Sequence, residues 1–203
     1  LKTDGTLWAW GWNAAGQVGD GSTDTVLKPK QIGAGFVAIA AGYEHSLALD
    51  GNGGLWSWGL NDHGQLGNGS SSRSTVVTLP QQIGHGFSTI AAGGGHSLAL
   101  DGVGDLWSWG ANANGQLGDG TRTDALTPTR RGSGYQALAA GWDFSLALKT
   151  DGSLLTWGAN ALGQLGNGQT RDSSQPGVIG SGYVGVTGGN EAALARKADG
   201  TLW

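Results

Sequence analysis

The sequence contains no cysteine and no methionine, and only 13% of its 203 residues carry a charge. Without cysteine there can be no disulfide, thiolate metal site or cysteine nucleophile. A formal net charge of −4 supplies no basic field for a phosphate backbone, so nucleic acid is not expected as a direct partner. No apolar run approaches the roughly 20 residues of a membrane-spanning helix, and no membrane association is expected. The chain opens on Leu1 without a recognisable leader or lipidation motif, which with the missing methionine points to a processed form or a fragment. Phosphate-loop, nucleophile-elbow and zinc-protease patterns are all missing, so the expectation is a non-catalytic chain without cofactor or metal.

Glycine, by contrast, supplies 41 residues. Such a share without a period would indicate low complexity. Here it recurs in register. The string "WSWGLNDHGQLGNG" at 56–69 returns as "WSWGANANGQLGDG" at 107–120, with looser copies at 8–21 and 155–168. Trp8, Trp56, Trp107, Leu155 and Trp203 open successive copies at intervals of 48, 51, 48 and 48 residues. A second phrase keeps the same beat: "AAGYEHSLAL" at 40–49, "AAGGGHSLAL" at 91–100, "AAGWDFSLAL" at 139–148 and "TGGNEAALAR" at 187–196. A fixed period near 50 residues marks tandem supersecondary units. The cycles are set at approximately 8–55, 56–106, 107–154 and 155–202, as one region of a longer array.

Within a cycle, "HSLALD" and "LWSWG" alternate with period two, which puts His45, Leu47 and Leu49 on one face and Ser46 and Ala48 on the other. Both faces are apolar or small, as in strands held between neighbouring sheets. Turn chemistry separates them, as in "LKTDGTLW" and "LDGNGGLW". No stretch carries a capped helical stripe. The reading is all-β: a β-propeller of four-stranded antiparallel blades. The tryptophan pairs are expected to wedge between blades, at Trp8, Trp10, Trp56, Trp58, Trp107, Trp109 and Trp157. The asparagines and glutamines of the phrase (Asn61, Asn112, Asn160, Gln65, Gln116 and Gln164) are expected to satisfy loop backbone, and its glycines to permit close approach of the next blade.

The two phrases together, in register over four cycles, resemble the regulator of chromosome condensation (RCC1-like) repeat family. The resemblance covers essentially the whole chain. It implies a seven-bladed ring, often closed by strands from both chain ends, of which four cycles would be a partial arc. Family members include a guanine-nucleotide exchange factor for a nuclear small GTPase, a plant UV-B photoreceptor and a secreted bacterial β-lactamase inhibitor. The photoreceptor pattern places tryptophan, a basic residue and His-Thr after the first strand. Only Trp142 matches its aromatic here and the basic residue is missing, which disfavours light sensing.

His45 and His96 occupy a slot that Phe144 and Ala192 fill in the other cycles, so they read as packing residues and not as ligands or bases. His63 and His85 stand alone. Asp50-Gly51-Asn52-Gly53 lacks the bidentate glutamate of a calcium loop. The two places that vary are the stretch after "GQLGxG" and the positions after "AAG". The latter hold Tyr43 and Glu44, Gly94 and Gly95, Trp142 and Asp143, and Asn190 and Glu191. A constant frame with variable loops suits recognition. Tyr43, Glu44, Trp142, Asp143 and Glu191 are therefore the candidate partner-binding residues, for a protein with a basic surface. Alternatives are guanine-nucleotide exchange and carbohydrate binding on Trp12 or Trp142. Open blade edges are expected to favour self-association, and the low-charge, Asn/Gly/Thr-rich style leans towards a bacterial extracellular or cell-surface origin.

Overall fold

The computed structural model describes residues 1–203 as sixteen strands with no helix. The chain starts with a two-stranded unit, β1 (Leu7–Gly11) and β2 (Val26–Gly33). Three complete antiparallel sheets follow. The first runs β3 (Phe36–Ala41), β4 (His45–Asp50), β5 (Leu55–Asn61) and β6 (Ser72–Gly84). The second is β7 (Phe87–Ala92), β8 (His96–Asp101), β9 (Leu106–Gly110) and β10 (Ala125–Gly132). The third is β11 (Tyr135–Ala140), β12 (Phe144–Lys149), β13 (Leu154–Gly158) and β14 (Ser173–Gly180). A second two-stranded unit, β15 (Tyr183–Gly188) and β16 (Ala193–Lys197), ends the series.

Strands within each sheet are hydrogen-bonded in sequence order, a simple meander. The first strands, β3, β7, β11 and β15, stand side by side, so the sheets radiate from them as propeller blades. They form an open arc, and the ring is not closed. Each blade begins at the phenylalanine or tyrosine after a Gly-x-Gly link and straddles the sequence cycles: the tryptophan phrase opens the third strand of a blade, not its first.

The alternation read in the sequence sets which face meets which blade. Ala48 on β4 and Trp58 on β5 pack with Leu7 of the preceding unit. On the opposite face Leu47, Leu49 and Leu55 pack with Ala99 and Trp109 of the following blade. Each junction is thus an indole from one blade set into a leucine layer from the blade before. Its Nε1–H finds a fixed acceptor. Trp58 donates to Gln17 O at 2.8 Å, Trp109 to Gln65 O at 2.9 Å and Trp157 to Gln116 O at 2.8 Å. The same carbonyls accept from Ser46, Ser97 and Ser145 Oγ at 2.8, 2.9 and 2.8 Å. A buried indole needs such a partner.

The glycine two residues beyond each glutamine makes the junction possible. A Cβ on Gly67 would lie 2.8 Å from Trp109 Nε1, and its φ of +74° already sits in the left-handed region.

The tryptophan pairs do not insert as pairs, which corrects part of the sequence expectation. Trp58, Trp109 and Trp157 are buried, whereas Trp8, Trp56 and Trp107 are half-buried and Trp10 is 61% exposed. Trp56 lies one pleat closer to the turn, where its Nε1 donates to Asp50 Oδ2 at 2.9 Å and its ring stands edge-on to Phe36 at 6.0 Å. Trp107 repeats this with Asp101 and Phe87. These rings cap the end of a blade and keep one side in solvent. Trp10, on β1, lies at the open edge of the arc.

The polar residues of the phrase serve the loop backbone as expected. Asn61 Oδ1 accepts from Leu66 N at 3.1 Å while its Nδ2 donates to Ser70 O at 2.9 Å. Asn112 and Asn160 are bonded alike. Gln65 Oε1 accepts from His63 N at 2.9 Å, and Gln116 and Gln164 repeat the bond two residues ahead of themselves.

Candidate functional site

The turns that join the first and second strands of each blade meet on one face of the arc, at its hub. Backbone bonds stitch them together: Tyr43 N donates to Gly93 O at 3.3 Å, Gly94 N to Trp142 O at 2.7 Å and Trp142 N to Asn190 O at 3.0 Å. This row of turns carries the positions that vary between cycles.

Tyr43 and Trp142 belong to blades that are not neighbours, yet their ring centroids lie 4.4 Å apart with planes tilted by 58°. Gly94 of the intervening blade makes this possible. It fills the place of an aromatic, and a Cβ there would come within 3.1 Å of the Trp142 ring and 2.7 Å of its carbonyl oxygen. Both rings keep an accessible side, Tyr43 at 56% exposure and Trp142 at 41%. They form a single aromatic shelf.

Beside the shelf is a groove of about 350 Å³ whose lining includes Glu44, Asp62, His63, Asn114 and Asp143. Asp143 accepts from Asn114 Nδ2 at 3.1 Å and from Gln116 Nε2 at 3.0 Å. Burial, the largest influence on it, raises its pKa above the ordinary carboxylate value, against the Asn114 hydrogen bond. Asp62 Oδ1 accepts from Gln65 Nε2 at 3.0 Å. His63 is not isolated, contrary to the sequence reading: its Nδ1 lies 2.8 Å from Asp124 Oδ2 and its Nε2 3.6 Å from Asp62 Oδ2. Arg122 donates to Ala113 O, in the groove's lining, at 2.7 Å and sits 3.6 Å from Asp172. The groove therefore combines an exposed aromatic shelf with carboxylates and amides.

Of the five candidate residues, four come together here. Glu191 does not. It lies at a separate cavity beside β16 with Leu162 and Trp203, while its neighbour Asn190 faces the shelf. The tight turn closed by Gly189 N to Ala192 O at 2.8 Å divides the two. Asn114, His63 and Asp124 escaped the sequence reading because they come from two other loops. The double glycine at 94–95 was the available signal, since it empties the position between two aromatics. His45 and His96 are buried between blades, remote in role from this groove.

The whole chain, residues 1–203, matches the model of the RCC1-like domain. It is 34% identical over 126 residues to the ultraviolet-B receptor UVR8 of Arabidopsis thaliana, covering 59% of this chain and 29% of the receptor. It is 38% identical over 125 residues to RCC2 of Mus musculus, covering 58% of this chain and 24% of that protein. Among solved structures it is similar to human WBSCR16, with a TM-score of 0.86 and 25% identity over 96% of this chain and 54% of that one. Saccharomyces cerevisiae Prp20p gives 0.85 and 26%, over 94% of this chain and 51% of that one. The chain thus spans less than a third of these two curated relatives and about half of the two solved structures. These relatives are eukaryotic and lend no support to the bacterial, surface-exposed origin expected from composition.

Proposed function

The chain belongs to the RCC1-like domain family, and from that premise we propose that it is a non-catalytic docking module for the basic segment of a protein partner. The observation that carries this reading is the contact of Tyr43 with Trp142 at 4.4 Å, with Glu44 and Asp143 lining the groove alongside. Aromatic side chains supply rigid, amphipathic contact area at low entropic cost. A lysine or arginine stem lies along such rings while its head meets a carboxylate. Support also comes from Prp20p, whose structure is described together with its binding to Gsp1p and histones, the latter being basic proteins.

The test is capture of an immobilised lysine- and arginine-rich peptide. Trp142→Ala and Asp143→Lys are each expected to weaken capture about 10-fold or more with unfolding midpoints that remain within a few degrees of the parent. Equal capture by the parent and both variants overturns the assignment of this groove.

A second reading, guanine-nucleotide exchange on a small GTPase, rests on the binding of Prp20p to Gsp1p. It requires that adding the chain accelerate release of labelled GDP across a GTPase panel. Release at the background rate throughout removes it.

A further inference from the structure

The groove beside the aromatic shelf runs over the turn Gly94-Gly95 of the second blade, and all its lining residues belong to the three complete blades. The equivalent turns of the first and third blades carry Tyr43-Glu44 and Trp142-Asp143, so the row of turns is notched at the second blade. Nothing in the fold demands glycine at 95. Its φ is not in the left-handed region. A Cβ there would meet Ala111 Cβ at 3.3 Å and His63 Cδ2 at 3.8 Å. A slight shift relieves the first contact, and the second is ordinary packing. What a side chain at 95 would occupy is the notch itself.

Three features of the notch select among cations. The first is flatness. Tyr43 and Trp142 lie 4.4 Å apart and each keeps an accessible side. A planar guanidinium stacks on such rings, whereas an ammonium meets them as a point charge. The second is a carboxylate held in one plane. Gln116 Nε2 donates to Asp143 Oδ1 at 3.0 Å and Asn114 Nδ2 to Oδ2 at 3.1 Å. Each oxygen retains a further acceptor site, and a fixed carboxylate plane suits the paired N–H groups of a guanidinium. The third is reduced contact with water, since Asp143 is half-buried. A guanidinium is more weakly hydrated than an ammonium and enters such a place more readily. No lysine or arginine of the chain lines the groove, and His63 is already paired with Asp124.

We infer that the notch over Gly94 and Gly95 is an arginine pocket: the partner's guanidinium lies with its plane against the Tyr43–Trp142 shelf and its edge towards both oxygens of Asp143. This rests on the docking reading given above and adds to it a choice between the two basic side chains. A lysine of equal charge can neither stack on the rings nor engage both oxygens in one plane.

Fluorescence anisotropy tests this with two labelled glycine-serine peptides of equal length and charge, one carrying arginines and the other lysines. The arginine peptide is expected to bind about 10-fold tighter or more. Gly95→Leu, which fills the notch, and Asp143→Asn, which removes the paired charge, are each expected to reduce that preference to less than about 3-fold. Thermal unfolding verifies that both variants fold. Should Gly95→Leu fail to fold, Asp143→Asn, at a half-buried position on the surface, carries the comparison. Equal affinity for the two peptides, or tighter binding of the lysine peptide, overturns the arginine pocket and leaves the docking reading standing. A preference for arginine that survives either substitution in a folded variant overturns the pocket too, because the guanidinium then binds elsewhere. Binding of neither peptide overturns the docking reading and the pocket together.

Discussion

His45 Nε2 lies 2.9 Å from Ser97 Oγ across the junction between consecutive blades, and His96 stands in the same relation to Ser145 at 2.9 Å. Each serine spends its only proton on a glutamine carbonyl, so the imidazole must donate from Nε2. That fixes the tautomer and leaves Nδ1 bare, buried and unpartnered in both residues. At the third junction both partners change together. Phe144 replaces the imidazole and Ala193 the serine, removing a donor and its acceptor at one stroke. The interchange of histidine with phenylalanine thus follows from a paired polar contact, not from indifference.

Ser97→Ala is expected to cost about 2 kcal/mol, because it strands the His45 N–H in a dry junction. Adding His45→Phe reproduces the Phe144–Ala193 pairing and is expected to return stability to within about 1 kcal/mol of the parent. A double-mutant cycle read from urea midpoints checks this. Additive losses contradict the coupling.

Both imidazoles titrate far below the usual histidine value of 6.5. Burial takes His45 down to about 4; burial, joined by the charge of nearby His45, takes His96 down to about 3. The unfolded chain takes up these protons below pH 6.5 and the folded chain does not. Stability is therefore intact above about pH 6.5, declines as pH falls from there, and levels off below about 4 for His45 and about 3 for His96. Between pH 7 and pH 5 the loss amounts to about 2 kcal/mol per histidine. Urea titrations at several pH values are expected to show a slope that His45→Phe in the Ser97→Ala background roughly halves.

The glycine of "AAG" lies under the ring at each junction. A Cβ on Gly141 would stand 1.9 Å from Phe144 Cε1, and one on Gly102, in the turn after β8, would meet nothing within 4 Å. Neither glycine has positive φ, so only space separates them. Gly141→Ala is expected to destabilise by about 3 kcal/mol through overpacking. Gly102→Ala is expected to be neutral or to stabilise by up to about 1 kcal/mol. Thermal melts of the two variants distinguish them.

Within the third strand, Trp109 and Trp107 predict unequal losses. Trp109→Ala empties a closed slot and removes a hydrogen bond to Gln65 O, at a cost of about 3–5 kcal/mol. Trp107→Ala, at a half-buried ring, is expected to cost less than half as much. Equal losses in denaturant midpoint contradict the division of labour within the pair.

Gly94→Ala places a methyl group against the Trp142 ring. It is expected to part Trp142 from Tyr43 and to weaken capture of a basic peptide as much as Trp142→Ala does, although the substituted residue offers no side chain to the partner. Capture by the two variants in parallel is the measurement.

The architecture was legible because its cause is local. Alternation in "HSLALD" and "LWSWG" states which face each side chain takes, and the fixed period states that every blade meets the next in the same way. Trp10 and Trp56 were misjudged because alternation reports the face of a strand and not the depth along it. Trp56 shares a face with Trp58 but sits at the blade's end, and Trp10 shares the motif but lies at the open edge of the arc. The shelf was half legible. Tyr43 and Trp142 stood out as departures from the repeat, but their meeting depends on convergence of the turns at the arc's hub. His63 and Asp124, 61 residues apart, have no common pattern that would join them.

Since the carbonyls of Gln17, Gln65 and Gln116 are each met by donors from the following blade, each of these joints is assembled from two adjoining periods and is indifferent to the rest. A gene that gains or loses one whole period keeps all its remaining joints. Length is therefore a trait that heredity can lengthen or trim without inventing a new core, and diversity can accumulate in the few turn positions that no joint uses.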